Sequence, residues 1–306
     1  AGGMKALRTT ILATPALCKG LVHLNLNENL VQNEGARDCA FLLVDCTALK
    51  VLSLVTNSLN PRGLSPLTDG VMLSKSLTKL YLDYNAIADK GCQTLCDAIA
   101  TKGHTSLIEI GLSDNAISDL GAEAIARVIM SNTNCVARFN LSVNKIGPAG
   151  AKALAVAVAT TTNKSLKFLD IACNPFEADG RRELFSRIHE YKYLETLDCT
   201  SLGMTEADGE LLLEGFAKAQ PTADGGVSIM EWFNNPEFAE GVEEKLYYVL
   251  EDRKVKAATE VAHAAAMASK KIKDAEAAKK SVLVVGGVIA AVVAVAAVVL
   301  VRGKKA

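Results

Sequence analysis

One unit of sequence recurs along most of this chain. Leu21, Leu49, Leu77, Leu107, Val136, Leu166 and Leu194 each open a stretch of the form L-x-x-L-x-L, and the steps between openers are 28, 28, 30, 29, 30 and 28 residues. Eight residues after the first six openers stand Asn29, Asn57, Asn85, Asn115, Asn144 and Asn174. In the seventh copy Leu202 takes that place. A period of this length restricts the fold to a solenoid, because one unit cannot bury its apolar face alone and stacked neighbours can.

Each part of the unit has a physical role, as LYLDYNAIADKGCQTLCDAI (Leu80 to Ile99) shows. Leu80 and Leu82 alternate inward on a short strand. Asn85 ends the strand, where its amide can bond turn backbone that would otherwise be buried unpaired. Ile87 fills the core, and from Gly91 onward Leu95 and Ile99 recur at helical spacing.

The copies LVHLNLNENL, LKVLSLVTNSL, LTKLYLDYNAIADKG, LIEIGLSDNAISDLGAEAI, VARFNLSVNKIGPAGAKAL and LKFLDIACNPFEADGRREL resemble leucine-rich repeats of the ribonuclease-inhibitor type. The resemblance covers residues 21–218 and implies an α/β leucine-rich-repeat solenoid, a horseshoe with parallel strands inside and helices outside. Residues 1–20 read as an N-terminal helical cap. The second copy departs from the pattern, with Pro61 and Pro66 where its helix should begin, so an irregular turn is expected there. The family mostly binds proteins and is rarely catalytic, and fold analogy names no partner. Ran GTPase-activating proteins share this repeat class, which keeps a small-GTPase regulator open as an alternative.

In such repeats the x positions face the concave side. That row includes His23, Asn25, Val51, Ser53, Lys79, Tyr81, Asp83, Glu109, Ser113, Arg138, Asn140, Phe168, Asp170, Thr196 and Asp198. Lys79, Tyr81, Asp83, Tyr84, Arg138, Phe168 and Asp170 are the candidate partner-binding residues, since Tyr, Arg and Phe are types that anchor interfaces. The alternative is an open, merely solvated sheet.

A second signal lies at Val282 to Val301, VLVVGGVIAAVVAVAAVVLV, an unbroken run of 20 apolar or Gly residues. At about 1.5 Å rise per residue this spans roughly 30 Å, the thickness of a hydrocarbon core. Lys279, Lys280, Arg302, Lys304 and Lys305 flank it and can snorkel to headgroups. The run reads as a transmembrane helix at 282–301, with a short basic tail at 302–306, in the layout of a tail anchor. Gly286, Ala290 and Ala294 repeat every four residues, either a stripe for close helix packing or a chance of Val/Ala-rich composition.

Between repeats and span, residues 251–281 are rich in Ala, Lys and Glu and read as a basic helical stalk or a charged linker. Residues 251–306 hold 11 Lys and Arg against 5 Asp and Glu, a net of +6; the remainder holds 22 against 29, a net of −7. A basic stalk suits anionic lipid, and an acidic repeat region argues against nucleic acid.

Residues 219–250 admit three readings: a calcium loop, a degenerate EF-hand-like shape, or an unrelated cap over the last repeat. Counting Gln220 as loop position one, Asp224 falls at five, Gly225 at six and Glu231 at twelve, but Gln220 and Thr222 stand where carboxylates belong. Asp224 and Glu231 are therefore the calcium candidates of a site short of anionic ligands. Trp232, Phe233 and Phe238 would serve a cap.

Eight cysteines and four histidines form no zinc spacing. Cys39, Cys46, Cys135, Cys173 and Cys199 fall near repeat core positions and are expected to be buried, reduced thiols. No phosphate loop, nucleophile elbow or H-E-x-x-H occurs. The expectation is a non-catalytic, cofactor-free interaction scaffold, a subunit of a hetero-complex in an organellar membrane. A Val/Ala span with basic flanks points to mitochondria, with plastid, peroxisome and endoplasmic reticulum as alternatives.

Overall fold

The computed structural model describes residues 2–219, 226–227, 229–231, 235, 241–256 and 259. The chain divides into two units at residues 254 and 255, and the second lies almost wholly outside the described residues.

In the first unit, strands β1 (His23–Asn25), β2 (Val51–Ser53), β3 (Lys79–Tyr81), β4 (Glu109–Gly111), β5 (Arg138–Asn140), β6 (Phe168–Asp170), β7 (Thr196–Asp198) and β8 (Ile229–Glu231) form one parallel sheet in chain order. The helices are α1 (Gly2–Ala13), α2 (Pro15–Gly20), α3 (Gln32–Asp45), α4 (Pro61–Leu73), α5 (Ala88–Lys102), α6 (Asp119–Met130), α7 (Pro148–Thr160), α8 (Glu177–Ser186) and α9 (Glu206–Lys218). A further helix covers 241–256. Parallel neighbours need a crossover, and α3 to α9 supply it between successive strands.

The register repeats without slippage. Leu24, Leu52, Leu80, Ile110, Phe139, Leu169, Leu197 and Met230 are the central residues of their strands and face one another in a row. All of them are buried against the helices. Their strand neighbours point to the open face, as the two-residue period requires.

Three ladders hold the turns together. The asparagines form the first. Asn144 donates to the carbonyls of Leu112, Leu141 and Ser142 at 2.9, 3.0 and 3.1 Å and accepts from the amides of Asn115 and Ile117, both at 3.0 Å. Asn57, Asn85, Asn115, Asn144 and Asn174 each donate to backbone of their own repeat and of the one before it, while Asn29 donates to Leu26 and Asn27 of its own turn. The second ladder is backbone. Glu28, Thr56, Tyr84, Asp114, Val143, Cys173 and Ser201 stand at equivalent places and all have φ between 47° and 56°. Left-handed non-glycine residues are uncommon, and here seven turns share the feature. The third is glycine at the helix starts, where Gly180 approaches Pro148 closely enough that a Cβ would lie 2.9 Å from the proline Cα.

Two expectations change. The turn at Pro61 is regular: Pro61 opens α4 at its first position, where no amide hydrogen is needed, and the Asn60 side chain accepts from the Arg62 amide at 3.0 Å. Pro66 sits inside the same helix. The EF-hand-like reading also lacks support among the described residues. Glu231, its twelfth position, closes β8 and pairs in parallel register with Asp198. Val227 is buried eight residues before Asn235, which donates to the Cys199 carbonyl at 3.3 Å and accepts from the Met204 amide at 2.9 Å. These are the opener and the asparagine of an eighth turn. Asp224, Trp232, Phe233 and Phe238 lie outside the described residues.

Candidate partner-binding face

The open face is built from two in-register rows. Lys79, Glu109, Arg138, Phe168 and Thr196 make one; Tyr81, Gly111, Asn140, Asp170, Asp198 and Glu231 make the other. Neighbouring strands set like positions about 4.8 Å apart, so side chains in a row touch.

Side chains from both rows converge on Glu109. Lys79 Nζ lies 2.8 Å from Glu109 Oε2, Tyr81 Oη donates to Glu109 Oε1 at 3.0 Å, and Arg138 Nε lies 3.9 Å from the same oxygen. The Arg138 guanidinium sits 3.9 Å from the centroid of the Phe168 ring. Lys79, Tyr81, Arg138 and Phe168, read separately from the sequence, are therefore one cluster. Glu109 joins them, although only its place in the row was visible beforehand. Its carboxylate raises the Lys79 ammonium above its usual range. Burial, then the hydrogen bond to Glu109, raises the Tyr81 phenol.

The Lys79 and Arg138 side chains are 44% and 46% exposed. Ion pairs this open contribute at most about 1 kcal/mol to folding. What the cluster does supply is a pre-positioned planar cation on an aromatic ring, beside a phenol, on a rigid sheet.

The other candidates fall elsewhere. Tyr84 is exposed at the strand's end, on a left-handed turn. Asp83 is buried, and its Oδ1 accepts from the Ser113 amide at 2.9 Å, in space that Gly111 leaves open. Asp83 thus holds backbone. Asp170 shares the second row with Asp198 and Glu231. Burial, opposed by the Ala172 amide and reinforced by the charges of Asp198 and Glu231, pushes Asp170 up to about 6. The face is therefore basic and aromatic at β3 to β6 and acidic at β6 to β8. Asp198 was expected only as a member of the concave row and Glu231 only as a calcium candidate; a carboxylate at the same place in successive units was the signal for Asp170 and Asp198.

All eight cysteines are free thiols, and most are buried. Cys173 departs from the expectation: it occupies the left-handed turn position and is exposed. Among the described residues no group of three or more His, Cys, Asp or Glu could hold a metal ion. Gly286, Ala290 and Ala294, with the whole of 282–301, lie outside the described residues. Among the described residues no helix is long and apolar enough to cross a membrane.

Comparison with known proteins agrees with this architecture. The family described as Leucine Rich repeat matches residues 73–96, 103–126, 135–155 and 162–185. The chain carries leucine-rich repeats in those four segments, within its parallel-strand, helix-backed architecture. It is similar to human NACHT, LRR and PYD domains-containing protein 5, at 30% identity over 173 residues, 56% of this chain and 14% of that protein. Mouse ribonuclease inhibitor is 31% identical over 115 residues, 37% of this chain and 25% of the relative. RAN GTPase-activating protein 2 of Arabidopsis thaliana is 30% identical over 101 residues, 33% of this chain and 18% of that protein. The chain thus spans a quarter or less of the length of each of these relatives. A solved chain of leiomodin-1 actin-binding site 2 aligns over 63% of this chain and 90% of its own length, at 14% identity and a TM-score of 0.42.

Proposed function

We propose that this protein is a non-catalytic scaffold that holds a partner protein on the open face of its sheet and is anchored to an organellar membrane through residues 282–301. The observation that carries the first half is the convergence of Lys79, Tyr81 and Arg138 on Glu109, with Phe168 beneath the guanidinium. Arg and aromatic anchors on a rigid support are what interface hot spots consist of. The second half rests on the 20-residue apolar run with its basic flanks. We read the membrane as mitochondrial and the protein as an accessory subunit of a complex there.

Co-purification of the full chain in mild detergent tests the scaffold. A stoichiometric partner is expected, and Arg138→Glu with Phe168→Ala should weaken its capture at least tenfold, the loss of about 1.4 kcal/mol or more. A strictly monomeric particle from native membranes would sink the reading. Imaging of a tagged chain with protease protection tests the membrane.

A second reading, a regulator of a small GTPase, is favoured by the similarity to RAN GTPase-activating protein 2. Its test is GTP turnover by a panel of GTPases with the purified chain; no acceleration of any of them removes it.

A further inference from the structure

In the third, fourth, sixth and seventh repeats the turn that leads into the strand has a polar fitting three residues before the opener, and in the fifth Asn134, two residues before it, accepts from the Val136 amide at 3.1 Å. In the third repeat Ser74 Oγ accepts from the Leu77 amide at 3.2 Å. In the fourth, His104 Nδ1 accepts from the Leu107 amide at 3.0 Å while Nε2 donates to the Val71 carbonyl at 2.9 Å. In the sixth, Asn163 accepts from the Ser165 amide at 2.9 Å and donates to the Ser131 carbonyl at 2.6 Å. In the seventh, the Tyr191 hydroxyl donates to the Leu184 carbonyl at 2.7 Å.

The first two repeats break this pattern together. Cys18 and Cys46 hold the position, and their sulfurs face each other at 2.7 Å. Two unbonded sulfurs pack farther apart than this, and a disulfide needs about 2.04 Å. Stacking in register is what brings them together, since equivalent side chains of adjacent repeats lie one strand spacing apart. Cys92 and Cys96, by contrast, share one helix at an Sγ separation of 3.9 Å.

We propose that Cys18 and Cys46 form a reversible disulfide that clamps the N-terminal helices onto the second turn of the solenoid. The oxidant is a small disulfide such as oxidised glutathione. Cys18 is 9% exposed and Cys46 fully buried, so exchange starts at Cys18. Its thiolate attacks one sulfur of the glutathione disulfide, and one glutathione leaves as the thiol. The Cys46 sulfur then attacks the Cys18 sulfur of the mixed disulfide, its proton passes to solvent, and the second glutathione leaves. Two cysteines lose two electrons, and one glutathione disulfide becomes two thiols.

The bond closes a loop of 28 residues that contains β1 and α3. Among the described residues β1 stands at the edge of the sheet, paired with β2 alone, and a unit packed on one side only opens more readily than one packed on both. Helix α1 is held by Met4 and Ile11 in the core and by the Arg8–Asp38 pair at 2.9 Å, and α2 by its buried Cys18. A cross-link there removes conformations from the opened state and keeps the end shut.

The test uses the full chain in glutathione buffers of graded ratio, in mild urea that opens the N-terminal end. Maleimide labelling of the reduced chain establishes that both thiols are reached. Fragmentation mass spectrometry should then find the peptide 9–19 joined to 38–50 through Cys18 and Cys46, with a mass loss of two hydrogens. Oxidation should raise the thermal midpoint by several degrees. Cys18→Ser and Cys46→Ser should abolish both the link and the rise, and both fold, because Ser74 already fills this position. Cys39→Ser should retain them, which separates Cys46 from its neighbour in the same peptide. Thiols that are labelled by maleimide yet stay unpaired at oxidising ratios overturn the proposal. So does a stable glutathione adduct without the cross-link, or a link through Cys39.

Discussion

Arg181 repairs a gap that the repeat pattern leaves open. In the seventh repeat Leu202 replaces the ladder asparagine, and Asp208 stands where earlier helices carry glycine. Arg181 Nη1 donates to the Leu202 carbonyl at 3.3 Å, and its Nε donates to Asp208 Oδ2 at 2.7 Å. The same carboxylate oxygen accepts from the Thr205 amide at 2.9 Å, closing a capping box at the start of α9. Both charged side chains are nearly buried, at 10% and 7% exposed. Removing one partner of such a pair leaves the other buried and uncompensated, at a cost of about 3–5 kcal/mol. Arg181→Met should therefore destabilise the chain by that order in urea unfolding. Arg181→Met combined with Asp208→Asn should cost less than Arg181→Met alone, because no charge then remains buried. A double variant that loses the sum of the two single effects would show that the pair does not act as a unit. The asparagines of the other repeats were plain in the sequence because they recur; Arg181 was not, because its partners lie 21 and 27 residues away and only stacking brings them together.

The elements were legible in proportion to how well they repeat. Strands β1 to β7 fall on the L-x-x-L-x-L stretches, and the helices on the apolar periodicity that follows each. The eighth turn was hidden because Val227 follows Leu194 by 33 residues and because Val and Met stand for Leu, while its Gly and Glu imitate a calcium loop. Parallel register with β7 is a tertiary fact that no local pattern states. The loops before the strands make a further prediction. His104 is held neutral in its Nε2–H form by one bond accepted and one donated, and burial lowers its pKa. A lowered folded-state pKa gives stability that is present above the unfolded value, about 6.5, and lost as pH falls below it. His104→Gln should remove this acid-sensitive component, visible as a flatter dependence of the thermal midpoint between pH 7 and 5. His104→Ala should cost about 2 kcal/mol at pH 7, because it leaves buried loop backbone unpaired. An unchanged midpoint in His104→Ala would show that the loop finds other partners.

Across the molecule the open face joins two electrostatic regions, a basic and aromatic cluster around Glu109 and an acidic lane on β6 to β8. The composition announced a net negative repeat region; it did not say that the carboxylates of Asp170, Asp198 and Glu231 line up, since Glu231 belongs to the turn the repeat pattern missed. The lane carries a stability cost that can be measured. Asp170 is pushed up to about 6 by burial and by its like-charged neighbours. A carboxyl whose folded pKa is raised binds its proton more tightly in the folded state. Its contribution is therefore fully present below about 3.9, the unfolded value, and is lost as pH rises through about 6. The sign is opposite to that of His104, so the two effects partly cancel in the unmodified chain and must be separated by substitution. Asp170→Asn keeps an acceptor for the Ala172 amide, which Asp170 Oδ1 binds at 3.0 Å, and removes the buried charge. At pH 7.5 it should stabilise the chain by on the order of 1 kcal/mol after allowance for solvent screening, a rise of about 2–4 °C in thermal midpoint. At pH 4 the gain should vanish, because the native side chain is then protonated as well. Added salt should shrink the gain at pH 7.5, since it screens Asp198 and Glu231 from Asp170. A stabilisation of equal size at both pH values would mean that the asparagine packs better for reasons unrelated to charge, and the acidic lane would then carry no titration penalty.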